Sequence, residues 1–315
     1  MSFAFIFPGQ GSQSVGMLAG LAARHAQVTE TFAEASEALG YDLWKIVQED
    51  PAETLNQTHI TQPAMLAAGI AVCRVWRARG GMQPAVMAGH SLGEYTALVA
   101  AGSLSLADAV SLVADRGRYM QEAVPTGVGA MAAILGLDDA LVIRVCEQAT
   151  QGEVVSAVNF NSPGQVVVAG HKAAVERAVE LAKAAGAKRA LMLPVSVPSH
   201  CRLMMPAAEK LAERMADIEF SAPMVPVYNN VDVATENDAD AIRAALKRQL
   251  FSPVRWMETI QALADAGVDT VVECGPGKVL TSLNKRIDRG MAALVTLDAD
   301  SLAKALSATG ENDNV

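Results

Sequence analysis

The sequence predicts a mixed α/β fold, one larger α/β body with a small subdomain inserted into it. Two observations carry this. The apolar run Ala85-Val86-Met87-Ala88 reads as a short buried strand, Gly89-His90-Ser91-Leu92-Gly93 as a sharp turn, and Glu94 to Ala101 as a helix closed by Gly102. Further on, the chain from about residue 125 to 196 runs β-α-β-β-α-β, the ferredoxin-like order. At 315 residues, 51% hydrophobic and 19% charged, the chain can bury the core of one or two domains.

In chain order, Phe3-Ala4-Phe5-Ile6-Phe7 is an apolar strand that ends in the Gly-rich loop Pro8-Gly9-Gln10-Gly11-Ser12-Gln13. Helical periodicity covers about residues 16–39, 63–80 and 105–122. Pro63 suits a first turn and Gly80-Gly81 a helix end. The inserted unit has strands at 130–135, 154–159, 165–169 and 189–193. Its helices are 138–149 and about 171–186, and Asn161-Ser162-Pro163-Gly164 is its hairpin turn. The expected division is therefore 1–124 with 197–315 for the body, and 125–196 for the subdomain. Thr270-Val271-Val272-Glu273, a helix near 278–289 and Ala293 to Leu297 complete the body. The polar tail Thr309 to Val315 is expected to fray.

Composition excludes several classes of function. A formal charge of −9 provides no basic field for nucleic acid. No apolar run is long enough to span a membrane, and no basic region precedes the first strand, so neither a membrane span nor a signal peptide is expected. Cys73, Cys146, Cys201 and Cys274 are scattered, which argues against a zinc site or a disulfide framework and fits a reducing cytoplasm. The Gly-rich loop lacks the spacing and the lysine of a phosphate cradle.

The chemistry centres on Ser91. Gly-x-Ser-x-Gly between strand and helix is a nucleophile elbow: the glycines admit a close turn, and the serine hydroxyl stands at its tip. The Leu92 amide, at the helix N-terminus, points where an oxyanion would form. A serine nucleophile needs a base. Among His25, His59, His90, His171 and His200, the first reads as surface, His59 precedes a loop, and His171 starts a helix. His90 adjoins the serine, where side chains diverge, and suits a pocket wall. His200, in Val197-Pro198-Ser199-His200-Cys201, lies where the subdomain returns to the body, as a base in a cleft or as a buried structural histidine. Cys201 next to it is a poor rival nucleophile. Met120, Met131, Met204 and Met205 suit core or pocket lining.

The chain resembles the malonyl-CoA:acyl carrier protein transacylases of fatty acid synthesis over nearly its whole length. The resemblance is carried by Phe7-Pro8-Gly9-Gln10-Gly11-Ser12-Gln13, Gly89-His90-Ser91-Leu92-Gly93-Glu94-Tyr95, Arg116-Gly117-Arg118-Tyr119-Met120-Gln121, Asn159 to Gln165, Val197 to Cys201, and Gln249-Leu250-Phe251-Ser252-Pro253-Val254. It implies a hydrolase-like α/β body with a ferredoxin-like insertion. It implies Ser91 as the malonylated nucleophile and His200 as general base and acid. The amides of Gln10 and Leu92 then form the oxyanion hole, and the Gln249 backbone carbonyl orients His200. Arg116 pairs with the free malonyl carboxylate; without the resemblance it reads as a helix-face arginine beside Asp115 and Glu122.

The implied reaction carries malonyl from coenzyme A to Ser91 and on to the phosphopantetheine thiol of holo acyl carrier protein, with no bound cofactor or metal. Carrier proteins are acidic, so docking on this acidic chain needs a local basic patch; Lys188-Arg189 and Lys285-Arg286 with Arg289 are the candidates. Two other activities fit the same residues. Ser91 and His200 also suit a serine hydrolase or thioesterase of this architecture, from which Arg116 would distinguish a malonyl transferase. A polyketide acyltransferase is the other, since serine before the base histidine, here Ser199, accompanies methylmalonyl in such enzymes. A non-catalytic carrier-docking subunit would not need an intact Ser91 and His200.

Overall fold

Strand β1 (Phe3–Phe7) opens the chain in the computed structural model, which describes residues 2–195 and 197–310. All five of its residues are buried, the pattern of a strand covered on both faces. The helix expected over 16–39 is divided into α1 (Ala19–Ala22) and α2 (Ala26–Leu39), because His25 turns extended, with φ −140°, just before α2. Helix α3 (Leu43–Glu49) is capped by Asp42. Helix α4 (Thr58–Ala78) starts earlier than expected, so Pro63 stands inside it and His59 lies in its first turn rather than before a loop. The early start is secured by the Thr61 hydroxyl, which donates to the carbonyls of Leu55 and Gln57, and by burial of Ile60, Thr61 and Gln62.

Strand β2 (Val86–Gly89), α5 (Leu92–Ala100) and α6 (Leu106–Ala123) follow as expected, with the Ser105 hydroxyl capping α6. Next come β3 (Gly129–Leu135), α7 (Asp139–Ala149), β4 (Val155–Ser162), β5 (Gln165–His171), α8 (Lys172–Ala184) and β6 (Arg189–Met192). Asn161 and Ser162 extend β4 instead of forming the turn. Pro163 and Gly164, the latter at φ 70°, close the hairpin between Ser162 and Gln165 by themselves.

The remaining elements are α9 (Met205–Ala216), β7 (Val227–Tyr228), α10 (Ala239–Gln249), α11 (Trp256–Asp265), β8 (Thr270–Glu273), α12 (Val279–Ile287), β9 (Ala292–Val295) and α13 (Ala299–Thr309). Helices α3, α9, α10, α11 and α13, and strand β7, have no counterpart in the sequence reading. Several carry signals that it passed over: Asp238 and Asp298 cap α10 and α13, and Pro206 stands in the first turn of α9. Thr309 is buried at the end of α13; the rest of the tail expected to fray, beyond Gly310, lies outside the described residues. Met205 is exposed, unlike Met120, Met131 and Met204.

The strands form a parallel sheet, β7-β2-β1-β8-β9, and an antiparallel one, β4-β5-β3-β6. In the parallel sheet Phe7 pairs with Gly89, so the turn after β2 and the Gly-rich loop after β1 leave the same carboxyl edge side by side, where open α/β sheets place ligands. Strands β3, β4 and β5 of the antiparallel sheet are largely buried on both faces, whereas the edge strand β6 buries only Ala190. Ala130, Ala132 and Ile134 pack with residues of α7 and α8, whereas Met131 faces the other way and packs with Cys201. Among the described residues no helix is long and apolar enough to cross a membrane.

Candidate active site

Ser91 sits between β2 and α5 at φ 52° and ψ −109°, a conformation that non-glycine residues rarely adopt. The flanking glycines make this turn possible by their lack of a side chain. A Cβ on Gly89 would lie 1.9 Å from the Gly93 carbonyl, and one on Gly93 would lie 2.0 Å from the Phe7 carbonyl oxygen. The amides of Gly93 and Glu94 turn back to the carbonyls of His90 and Ser91. The Leu92 amide donates to no carbonyl among the described residues. Gly9, next to Gln10, packs so closely on His90 that a Cβ there would stand 2.7 Å from the His90 oxygen, which sets the Gly-rich loop against the turn. The Gln10 side chain points to the Thr58 hydroxyl, 3.4 Å away.

His200, also at positive φ, reaches this turn from the loop before α9. Its Nε2 is 2.7 Å from Ser91 Oγ, and its Nδ1 is 2.7 Å from the Gln249 carbonyl oxygen. A carbonyl only accepts, so Nδ1 carries the proton and Nε2 is left free to take one from the serine. Burial, reinforced by the Arg116 charge, pushes the His200 pKa down to about 3, against the opposing pull of the Gln249 carbonyl. The ring is therefore a neutral acceptor throughout the neutral pH range. His90 turns away from the hydroxyl and pairs Nε2 with Asn161 Oδ1 at 2.8 Å, which ties the turn to β4. His171 accepts from the Val154 amide and His25 is half-buried before α2. Cys201 is buried, donates to the Pro198 carbonyl, and has its thiol pushed up to about 11 by burial, so it is no nucleophile.

Arg116 is 1% exposed, not a helix-face arginine. Asp115 and Glu122 instead pair with Arg118, Arg214 and Lys210. The Arg116 guanidinium donates to Gln62 Oε1 at 2.7 Å, Gln249 Oε1 at 3.1 Å and Ser91 Oγ at 3.4 Å, and lies over the Tyr95 ring. Its hydrogen-bond partners are thus all neutral. Its hydrogen-bond link to Glu94 runs through Gln249, whose Nε2 donates to Glu94 Oε2 at 2.8 Å, and the Glu94 carboxylate and the guanidinium also attract each other directly. Burial pushes the Glu94 pKa up to about 7, despite hydrogen bonds from Gln249 and the Asn230 amide that favour its anion. A buried cation with neutral partners beside a serine hydroxyl is an environment suited to a substrate that carries its own carboxylate.

Glu94, Gln62, Asn161 and Asn230 belong to this network, though the sequence assigns none of them a role in the site. Glu94 and Gln62 did carry a signal, each being a polar residue within an otherwise apolar helical run. Lys188, Arg189, Lys285, Arg286 and Arg289 are all exposed. Two of these groups converge: Arg286 donates to Gln165 Oε1, Gln165 pairs with Leu135, and Leu135 pairs with Arg189 across the antiparallel sheet.

Residues 4–296 match the family model described as the acyl transferase domain. The malonyl CoA-acyl carrier protein transacylase of Escherichia coli strain K12 is 62% identical over 304 residues, which cover 96% of this chain and 98% of that one. The enzyme of the same name from Bacillus subtilis strain 168 is 45% identical over 313 residues, covering 99% and 98%. Among solved structures, an acyl carrier protein S-malonyltransferase from Vibrio cholerae superposes with a TM-score of 0.95 at 59% identity, covering 97% of this chain and all of that one. The malonyl-transacylase PlMCAT, solved in complex with AntF, a type II polyketide synthase acyl carrier protein, superposes with a TM-score of 0.97 at 57% identity, covering 98% and 100%. A neutral histidine on the serine of the turn before α5, a buried arginine beside them, and these likenesses along nearly the full length lead to one conclusion: the chain belongs to the malonyl CoA-acyl carrier protein transacylase family of acyl transferases.

Proposed function

We propose that this chain transfers malonyl from malonyl-CoA to the phosphopantetheine thiol of an acyl carrier protein in two steps through malonyl-Ser91. In the first step His200 Nε2 takes the Ser91 proton as Oγ attacks the thioester carbonyl. The amides of Gln10 and Leu92 receive the oxyanion, and its collapse expels the coenzyme A thiol, which leaves with the proton from His200. In the second step the carrier thiol gives its proton to His200 and attacks the malonyl ester, and Ser91 recovers its proton. Arg116 holds the malonyl carboxylate in both steps. Gln249 orients His200, in place of an acidic residue.

The observation that carries this reading is the placement of Arg116, buried, hydrogen-bonded to neutral groups only, and 3.4 Å from Ser91 Oγ. A hydrolase acting on neutral esters has no use for such a cation. Malonyl is favoured over methylmalonyl, notwithstanding Ser199, by the 62% identity to a relative named for malonyl.

The finer architecture belongs to the same proposal. Of the expected division into 1–124 with 197–315 and 125–196, the described residues 2–124 and 197–310 form a hydrolase-like body with a nucleophile elbow, and 125–195 form a ferredoxin-like subdomain; residues 1, 196 and 311–315 lie outside the described residues. The strand order β4-β5-β3-β6 and a separate cluster of buried residues from Ala130 to Ala190 support that division. Lys188, Arg189, Lys285 and Arg286 form the carrier-docking patch, supported by the convergence at Gln165. The acceptor is the carrier protein of fatty acid synthesis. A polyketide carrier is the second reading, favoured by the likeness to a transacylase bound to one.

Intact-protein mass after brief exposure to malonyl-CoA tests the reading, with wild type, Ser91→Ala and Arg116→Ala, before and after holo carrier protein is added. A malonyl adduct on wild type, absent from Ser91→Ala and moving to the carrier, is the expected result. Arg116→Ala is expected to lose malonyl and gain acetyl transfer relative to it. An adduct lost to water equally fast with and without carrier would point to a hydrolase.

A further inference from the structure

We propose that Asn230 is a positioning residue for Ser91, its side-chain amide standing in for a neighbouring strand and holding the nucleophile in its strained backbone conformation. The proposal rests on the reading of Ser91 as nucleophile.

Strand β7 pairs with β2 only at Val227 and Tyr228, opposite Met87 and Ala88. Beyond that point β2 bends into the turn and leaves two main-chain groups without a strand to bond to, the Gly89 carbonyl and the Ser91 amide. Asn230, two residues past β7, supplies both partners. Its Nδ2 donates to Gly89 O at 2.7 Å, and its Oδ1 accepts from Ser91 N at 2.7 Å. In a parallel ladder, one residue donates to the carbonyl before its opposite number and accepts from the amide after it. The Asn230 side chain reproduces that pattern opposite His90.

Asn230 is itself held fast. It is 0% exposed, its amide donates to Glu94 Oε2 at 2.9 Å, and its carbonyl accepts from Arg255 N at 3.2 Å. On the other side of the turn, Gln249 Nε2 donates to the Ser91 carbonyl at 3.0 Å. Both main-chain polar groups of Ser91 are therefore gripped by side chains from distant parts of the sequence. A backbone at φ 52° and ψ −109° lies above an ordinary conformation in energy and persists only where its surroundings fix it. If the turn relaxes, Oγ leaves its position 2.7 Å from His200 Nε2.

Two variants separate positioning from plain structural support. Asn230→Ala removes both bonds. Asn230→Asp keeps an acceptor for Ser91 N but turns the donor to Gly89 O into a repelling oxygen, unless the introduced carboxyl is protonated. That carboxyl would be buried against the Gly89 carbonyl and Glu94, with Asp232 and its partner Arg248 beyond Glu94, and with Arg116 and His200 across Ser91. Burial and the neighbouring carboxylate both favour its protonated form as the pH falls. His200 stays neutral down to about pH 3, so the base remains competent over the range tested.

The experiment measures the single-turnover rate of malonyl-Ser91 formation by quenched mass spectrometry from about pH 6 to 9, together with the KM for malonyl-CoA and the melting temperature. Asn230→Ala is expected to acylate ~30–100-fold more slowly at every pH, with KM within about threefold of wild type and the protein still folded. Asn230→Asp is expected to match it at high pH and to regain about tenfold relative to wild type at low pH. An Asn230→Asp rate in constant ratio to wild type across the range overturns the proposal. So does a folded Asn230→Ala that acylates within about threefold of wild type, or a loss confined to KM. Should Asn230→Ala fail to fold, the pH dependence of Asn230→Asp decides alone. Failure of wild type itself to form the adduct would instead overturn the reading of Ser91.

Discussion

Gln249 holds the His200 ring through its main-chain carbonyl oxygen, 2.7 Å from Nδ1, so the histidine is oriented by an atom that no side-chain substitution removes. The Gln249 side chain is left to other work: it accepts from Arg116 and donates to Glu94 and to the Ser91 carbonyl. Replacing Gln249 by alanine should therefore spare the histidine tautomer and disturb the arginine. We expect kcat/KM for malonyl-CoA to fall by about 10–100-fold, and labelling of Ser91 by a neutral fluorophosphonate, which feels the lost bond to the Ser91 carbonyl but not the disturbed arginine, to fall less. Equal losses in the two assays would show that the side chain serves the serine rather than the cation.

Glu94 sets a pH dependence of stability. Burial raises its pKa from 4.5 to about 7 in the folded protein, so the folded state holds this proton more tightly than the unfolded chain. Its contribution to stability is whole below about pH 4.5 and is lost as the pH rises through about 7, a loss on the order of 3 kcal/mol. His200 acts in the opposite direction. Its pKa is lowered from 6.5 to about 3, so its contribution is present above pH 6.5 and is lost as the pH falls toward 3. Glu94→Gln removes only the first effect and keeps an oxygen to accept from Gln249 and Asn230. Its melting temperature should sit near that of wild type at about pH 5 and well above it at pH 8. A gap that stayed constant with pH would contradict the assignment.

Gly93 has no room for a side chain, because the Cβ of an alanine would fall 2.0 Å from a main-chain oxygen of β1. Gly93→Ala should cost more than about 4 kcal/mol and yield little soluble protein. Gly20→Ala is the control: it lies in α1 with nothing within 4 Å of its Cβ, and should be neutral or slightly stabilising, by up to about 1 kcal/mol. Comparable yields of the two variants in a soluble-expression assay would refute the steric argument.

The basic groups near Gln165 make a prediction for the carrier. Reversing Lys285 and Arg286 to glutamate should raise the KM for the acidic carrier protein at least about tenfold and leave the KM for malonyl-CoA within about threefold. The difference should shrink at high salt. Changes of equal size in both constants would place the effect in the active site and not on a docking surface.

Neighbours in the chain were enough to specify the local elements. The strand before Gly89 and the helix after it, the close turn that glycine allows, and the β-α-β-β-α-β order all follow from local pattern, and the fold bears them in that order. Where local signals competed, burial decided. Pro63 marks a helix start by residue type, yet the helix begins before it because Ile60, Thr61 and Gln62 are packed inside. Ser91 and His200 could be named from the sequence as candidates, one from its flanking glycines and the other by elimination among five histidines.

That these side chains meet is a product of the folded chain. Ser91 and His200 stand 109 positions apart and Arg116 and Gln249 stand 133 apart, and no local pattern records such a distance. Nor could residue types show the decisive partners of His200 and Ser91, which include a main-chain carbonyl and the side chain of Asn230 in an unremarkable loop. Every residue has a carbonyl, and an asparagine in a loop looks like any other. What gives these groups their role is burial: once water is excluded, each unpaired donor or acceptor must find a partner, and the packed fold alone determines which one lies within reach.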